Sequence, residues 1–131
     1  MDKMKIKIEV GKVKLIAELN DSNTAKLIWS TLPIKGIVST WGDEIYFTIP
    51  VTAKIESPKT TVELGALGYW PPGKAFCIFF GPTPISKGNE IKPSSAVCIV
   101  GKVIGDPIEF KKISDGETIT LDKVLTADAH R

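Results

Sequence analysis

Residues 3–10 alternate between polar and apolar side chains with a period of two. Apolar residues occupy the even positions from Met4 to Val10, and charged residues, mostly lysines, occupy the positions between them. This period is typical of a strand with one buried face. Gly11 follows, and a second apolar and lysine-rich segment, residues 12–19, completes a predicted hairpin.

The apolar spacing then changes to three or four. Ala25, Ile28 and Leu32 share one face of a helix over residues 24–32. The polar residues 20–22 supply N-cap candidates, and Pro33 ends the helical pattern. The sequence therefore predicts one short helix directly after the hairpin.

The rest of the chain is rich in β-forming residues. Residues 36–41 and 44–49 are joined by Gly42 and Asp43, which favour a two-residue hairpin turn, and alternation places Ile45 and Phe47 on one face. Further predicted elements are strands over residues 52–55, 60–64, 75–80, 96–104 and 118–125, and a short helix or turn over residues 107–113. No repeat or linker separates them, so we expect one mainly β domain over residues 1–131, with a frayed tail at residues 126–131.

Length and composition are those of an ordinary globular domain. At 131 residues, with 43% hydrophobic and 24% charged residues, the chain can bury a real core. No apolar segment is long enough to cross a bilayer and no signal sequence precedes the first strand, so we expect a cytoplasmic protein without a membrane partner.

Charge argues against a nucleic-acid partner. The net charge is only +2, and the aromatic residues that stack on bases are missing from the first hairpin. Five lysines form a strip on the outer face of this hairpin: Lys3, Lys5, Lys7, Lys12 and Lys14. We interpret the strip as a solvated face that protects an edge strand.

Several catalytic classes lack their residues. The only histidine, His130, lies beside the only arginine, Arg131, glutamine is absent, and no C-x-x-C motif occurs. Cys77 and Cys98 are therefore expected as buried thiols without an activating base, and we predict neither a metal nor a cofactor. Five carboxylates near turns show no acid–base spacing: Asp43, Glu44, Glu56, Glu63 and Glu90.

Residues 68–74 have the glycine and lysine spacing of a phosphate-binding loop. Pro71 and Pro72 remove two of the backbone donors that such a loop needs, and Ala75 stands where a hydroxyl should bind magnesium. The segment is better interpreted as a rigid aromatic rim that could bind a partner at low entropic cost. The alternative is an aromatic cluster that fills the core.

Four segments together resemble a small prokaryotic cyclophilin-like family that is catalogued as a domain of unknown function. They are residues 40–47, 68–74, 79–81 and 93–101, of which Gly-Tyr-Trp-Pro-Pro-Gly-Lys at 68–74 is the most specific. The resemblance covers nearly the whole chain. It implies a closed eight-stranded β-barrel capped by one or two short helices.

The chain departs from the prolyl isomerases among cyclophilins. Those enzymes use an arginine at the prolyl nitrogen, assisted by glutamine, histidine and asparagine, whereas this chain has no glutamine and carries its arginine and histidine at the end. Lysine lacks the planar fork of guanidinium. We therefore expect a module that binds a peptide or small molecule, with weak prolyl isomerisation as the alternative.

The candidate ligand-binding residues are rigid aromatics and the loop that follows the strand predicted over residues 75–80. They are Trp41, Tyr46, Tyr69, Trp70, Phe79, Phe80, Gly81, Pro82 and Thr83. The sequence predicts neither the ligand nor the oligomeric state.

Overall fold

A computed structural model describes residues 3–125 as nine strands, one α-helix and two short 3₁₀ helices. The strands are β1 (Lys5–Val10), β2 (Val13–Leu19), β3 (Ile34–Ile37), β4 (Ser39–Thr40), β5 (Glu44–Thr48), β6 (Ala66–Trp70), β7 (Ala75–Phe79), β8 (Cys98–Ile104) and β9 (Thr118–Lys123). The helix α1 is Asn23–Thr31, and the 3₁₀ helices are Pro71–Gly73 and Pro107–Lys112. The predicted β class is confirmed, and the tail at residues 126–131 lies outside the described residues.

The strands form one antiparallel sheet that curls into a nearly closed barrel. Their order is β3-β9-β1-β2-β8-β6-β7-β5-β4, so the two outermost strands are neighbours in the chain, separated only by Val38. The Val38 N–H donates to the carbonyl oxygen of Glu117 at 2.9 Å, which continues the pairing between β3 and the segment before β9. The count exceeds the predicted eight because residues 34–40 are divided at Val38.

The barrel interior is filled by one face of every long strand. Ile6 and Ile8 of β1 are fully buried there, as are the rings of Tyr69 and Phe76. The Phe76 ring lies 5.9 Å from the ring of Phe47, centroid to centroid, in a tilted arrangement. This packing is the core that the alternating pattern predicts.

Helices cap the two ends of the barrel. The helix α1 joins β2 to β3 at one end, and its N-terminus is capped by the Ser22 hydroxyl, which accepts from the Ala25 N–H at 3.1 Å. The 3₁₀ helix Pro107–Lys112 joins β8 to β9 at the other end and buries Phe110 in the core. Within residues 3–125, no helix is both long and apolar enough to span a membrane.

Two long connections cross the outer face of β6 and β7. Residues 49–65 and 80–97 touch through isolated bridges from Lys59 to Val97 and from Val62 to Ile91. Apart from these single bridges, residues 49–65 form no strand, so the strands predicted over residues 52–55 and 60–64 are wrong. Pro58 interrupts this segment. A second apolar cluster lies beneath these connections, comprising Ala66, Ala75, Cys77, Phe79, Ile91 and Val97.

Candidate functional site

A cavity of about 190 Å³ opens beside this second cluster, on the outer face of the barrel. The sheet and its turn contribute Trp41, Glu44, Tyr46, Trp70 and Cys77. The connection between β7 and β8 contributes Pro93, Ser94 and Val97. The cavity therefore lies between a rigid sheet and an irregular segment packed on it.

Strand alternation explains which side chains reach the cavity. In β5, Ile45 and Phe47 point into the barrel, so Glu44 and Tyr46 point outward. Tyr46 lies opposite Cys77 of β7 in the sheet register, which places both side chains on the same outer face. Gly68 of β6 is the next neighbour of Cys77, and the absence of a side chain there lets Val97 approach the sheet closely.

A tight turn brings Trp41 next to Glu44. The Trp41 N–H donates to the Glu44 carbonyl at 2.9 Å, and the Glu44 N–H donates back to the Trp41 carbonyl at 3.2 Å. Gly42 takes the left-handed φ of +59° that the turn requires. The predicted two-residue connection by Gly42 and Asp43 is confirmed, and it fixes the aromatic and acidic side chains at one end of the cavity.

Glu44 is a buried carboxyl. Its side chain borders the cavity, yet the residue is only 6% exposed. Burial raises its pKa from 4.5 to about 7, because the charged form loses hydration, and a hydrogen bond with the Cys77 thiol lowers the pKa in part. Among residues 3–125, no ion pair includes Glu44. With a pKa of about 7, the Glu44 carboxyl is protonated in part of the molecules at neutral pH and ionised in the rest.

Cys77 is a structural thiol in this site. Burial raises its pKa well above the ordinary value, and the neighbouring Glu44 carboxylate raises the pKa further. A thiol with a raised pKa is not a nucleophile at neutral pH. The prediction of two buried free cysteines is confirmed for Cys77 and Cys98.

Trp70 forms the other end of the cavity, at the last position of β6. Its ring is half-buried, and its indole N–H donates to the hydroxyl of Ser95 at 2.6 Å. The ring packs over Gly73, where an added Cβ would come within 2.8 Å of it. The Trp70 ring thus packs on the 3₁₀ helix Pro71–Gly73 at the position of Gly73.

Substitution of Ser95 tests this anchoring. We expect Ser95→Ala to change the free energy of unfolding by less than about 0.5 kcal/mol, because the hydrogen bond is exposed. The indole N–H resonance of Trp70 should nevertheless shift and exchange faster with solvent in NMR spectra. The Ser94→Ala variant is the matched control and should leave that resonance in place.

Three predicted ligand-binding residues are brought together by the structure: Trp41, Tyr46 and Trp70 all line the cavity. The placement of Tyr69 and Phe80 on the binding surface is corrected, because both rings are buried inside the barrel. Tyr69 points inward since it alternates with Trp70, and its hydroxyl donates to the Val51 carbonyl at 2.6 Å. Within residues 68–74, the interpretation as a binding rim thus applies to Trp70, and the interpretation as a core cluster applies to Tyr69.

The other predicted residues support the site without lining it. Phe79 is fully buried beneath the connection, in the second apolar cluster. Gly81 packs directly on the Asp43 carboxylate, and the Pro82 carbonyl accepts from the Asp43 N–H at 2.9 Å. Thr83 is buried and its hydroxyl donates to the Lys92 carbonyl, which closes the base of the loop.

Sequence reasoning missed Glu44, Cys77 and the loop residues Pro93, Ser94 and Val97. A signal for Glu44 existed, since the alternation that puts Ile45 and Phe47 inside puts Glu44 beside Tyr46 outside. No local pattern indicates that residues 80–97 fold back over that face.

A larger, open groove lies between the end of β2, β8 and residues 59–66. It measures about 1070 Å³ and its rim carries opposite charges, with Glu18 and Glu63 near Lys59 and Lys102. No aromatic side chain lines it. The smaller cavity is the better candidate because aromatic side chains converge there around a buried carboxyl with a raised pKa.

The nearly closed barrel is of the cyclophilin-like class. The sequence matches the Cyclophilin-like family over residues 4–122, and the chain belongs to that family. It is similar to the hypothetical protein AF2241 from Archaeoglobus fulgidus, whose solution structure shares 38% sequence identity with a TM-score of 0.79. That match covers 93% of this chain and 95% of that chain. The resemblance noted from the sequence is thus confirmed, while no curated protein matches the chain.

Proposed function

We propose that this protein is a binding module whose outer-face cavity holds a small molecule or a single side chain of a peptide. The observation that carries the proposal is the convergence of Trp41, Tyr46 and Trp70 around the buried Glu44 carboxyl. At about 190 Å³ the cavity is smaller than the roughly 300–1,000 Å³ of sites for drug-sized ligands. A small group is therefore the expected occupant.

Two parts of the cavity wall are anchored within the protein. The Trp70 ring is held by Ser95 and packs on the proline-rich 3₁₀ helix, and the hydrogen-bonded turn fixes the backbone of Trp41. Prearranged aromatic side chains lose little conformational entropy on binding. This rigidity supports a binding role.

Prolyl isomerisation finds less support in this geometry. That alternative depends on an apolar groove from Phe79 to Thr83; Phe79, Phe80 and Thr83 are buried, and none of residues 79–83 lines the cavity. No arginine occurs within residues 3–125. We expect proline-containing peptides to isomerise at the buffer rate in a protease-coupled assay. A faster rate that Trp70→Ala abolishes would favour the enzyme over the binding module.

An NMR titration tests the binding function. The ¹⁵N-labelled protein is titrated with a fragment library of small amines, acids, amides and sugars, and with short proline-containing peptides. We expect at least one compound to shift the resonances of Trp41, Tyr46 and Trp70 selectively. The Trp70→Ala variant should lose the response and keep its fold.

The third tryptophan provides the matched control. Trp29 lies on α1, where the Lys123 ammonium is 4.9 Å from its ring centroid, and it does not line the cavity. Trp29→Ala should therefore keep the ligand response. Shifts that map to the larger groove, or no selective shifts with any compound, would contradict the proposal.

A further inference from the structure

We propose that the cavity binds an alkylated ammonium group, with the Glu44 carboxylate as counter-ion and the rings of Trp41, Tyr46 and Trp70 as walls. Choline and methylated lysine side chains carry groups of this kind. The inference rests on the proposed function, because it names the chemical class of ligand for the same cavity.

Aromatic rings are the first reason. A cation over the face of tryptophan or tyrosine is attracted by the ring quadrupole, and the attraction grows when water is excluded. Two tryptophans and a tyrosine line this cavity, and the rest of its apolar lining comes from Pro93 and Val97. Such walls suit a cation whose surface is covered by alkyl groups.

The charge of the cavity is the second reason. Among residues 3–125, Glu44 is the only acidic or basic residue that lines it, so this lining has a negative charge whenever that carboxyl is ionised. An anion would be repelled there. A neutral ligand would leave the ionised carboxylate buried without a counter-ion, which is costly in free energy.

The scarcity of hydrogen-bond acceptors is the third reason. Apart from Glu44, the lining side chains that can accept are the hydroxyls of Tyr46 and Ser94 and the weakly accepting thiol of Cys77. A primary ammonium has three N–H donors to satisfy, whereas a quaternary ammonium has none. Because a quaternary ammonium has no N–H donor to satisfy, its binding does not depend on how these few acceptors are placed.

Binding should depend on pH through Glu44. The titratable groups that face it are the Cys77 thiol on β7 and the Tyr46 phenol on β5, while Asp43 turns away to pair with Lys111 at 3.6 Å. The lining residues of β6 and of the connection over the cavity add no titratable group. A cation therefore has one proton to displace, that of Glu44.

The size of the pH effect follows from the pKa of about 7. Roughly one tenth of the protein carries an ionised Glu44 at pH 6 and about nine tenths at pH 8, and the apparent affinity scales with that fraction. We expect an affinity about tenfold higher at pH 8. At pH 7 the complex should release about half a proton per cation.

Calorimetry with two matched compounds tests the inference. Choline is compared with 3,3-dimethylbutan-1-ol, in which carbon replaces the charged nitrogen at the same shape. Choline should bind more tightly, gain about tenfold from pH 6 to pH 8, and release protons in buffers of different ionisation enthalpy. The neutral alcohol should not gain affinity from pH 6 to pH 8, because it offers the ionised carboxylate no counter-ion. Because both compounds are measured on the natural protein, the test does not depend on a variant that folds.

Two substitutions test whether Glu44 is the source of the pH-dependent choline binding. Glu44→Gln should weaken choline binding at pH 8 at least tenfold and abolish its pH dependence, whereas the exposed Glu63→Gln should change neither. A short peptide with one trimethyllysine distinguishes the source of the cation. Tighter binding of the peptide than of choline indicates a side-chain ligand, and equal binding indicates a small molecule, both in agreement with the inference.

Two outcomes separate the inference from the function on which it rests. If the neutral alcohol binds as tightly as choline and shifts Trp41 and Trp70, the cavity binds ligands but not as a cation site, and the inference is wrong. If no compound, charged or neutral, perturbs the cavity residues, the proposed function itself fails.

Discussion

Tyr69→Ala and Trp70→Ala should differ in stability by several kcal/mol, although the two residues are neighbours on one strand. Tyr69 is fully buried in the barrel core and its hydroxyl donates to the Val51 carbonyl. Loss of a large core aromatic costs about 3–5 kcal/mol through lost burial and the cavity that remains. Trp70 is half-buried on the outer face, and we expect its truncation to cost about 1 kcal/mol.

Urea unfolding at pH 7 measures both values. Tyr69→Phe serves as the control for the hydroxyl, because it keeps the ring and leaves the buried Val51 carbonyl unpaired, at a cost of about 1–3 kcal/mol. Ligand binding should be affected in the opposite order to stability. Trp70→Ala should lose it, and Tyr69→Phe should keep it. Equal destabilisation by the two alanine substitutions would show that Trp70 belongs to the core.

The faces of the strands could be predicted from the sequence because alternation is local. The period of two in residues 4–10 and 45–49 gave the inner residues correctly, and the helical spacing gave α1. Alternation in residues 76–80 likewise separates Cys77 and Phe79, in the outer cluster, from Ile78 and Phe80 in the barrel.

The orientation of Tyr69 was missed for a local reason. Glycine at position 68 and prolines at 71 and 72 are typical of a loop, so the segment was not predicted as a strand. In the structure, β6 pairs on both sides, with β7 and β8, and these pairings override the weak local propensity. Once the segment is a strand, alternation forces Tyr69 inward and Trp70 outward.

The burial of Glu44 depends on tertiary structure and could not be predicted in this way. The carboxyl is covered because residues 80–97 fold over the sheet, and this connection has no periodic pattern. Its path is set by contacts that are distant in sequence, such as the Lys59–Val97 bridge and the Trp70–Ser95 hydrogen bond. An isolated acidic residue beside a turn gives no sign of such a cover.

The stability of the natural protein should fall between pH 5 and pH 8 relative to the Glu44→Gln variant. Glu44 has a pKa of about 7 in the folded protein against 4.5 as the ordinary value, so folding favours the protonated form. The stabilisation that comes from holding Glu44 protonated is fully present below about pH 4.5 and is lost as the pH rises through 7. This difference in pKa corresponds to on the order of 3 kcal/mol.

Glutamine is nearly isosteric with glutamate and has no charge to bury. The free energy of unfolding of Glu44→Gln should therefore not show this fall with rising pH. The advantage of Glu44→Gln over the natural protein should therefore grow by about 2–3 kcal/mol between pH 5 and pH 8. Urea unfolding at both pH values measures it. Glu63→Gln, which alters an exposed carboxylate, should give a profile parallel to that of the natural protein. Parallel profiles for Glu44→Gln as well would mean that the Glu44 carboxyl is hydrated in the folded protein. In that case the carboxyl would be ionised throughout this range, and a cation in the cavity would have no proton to displace.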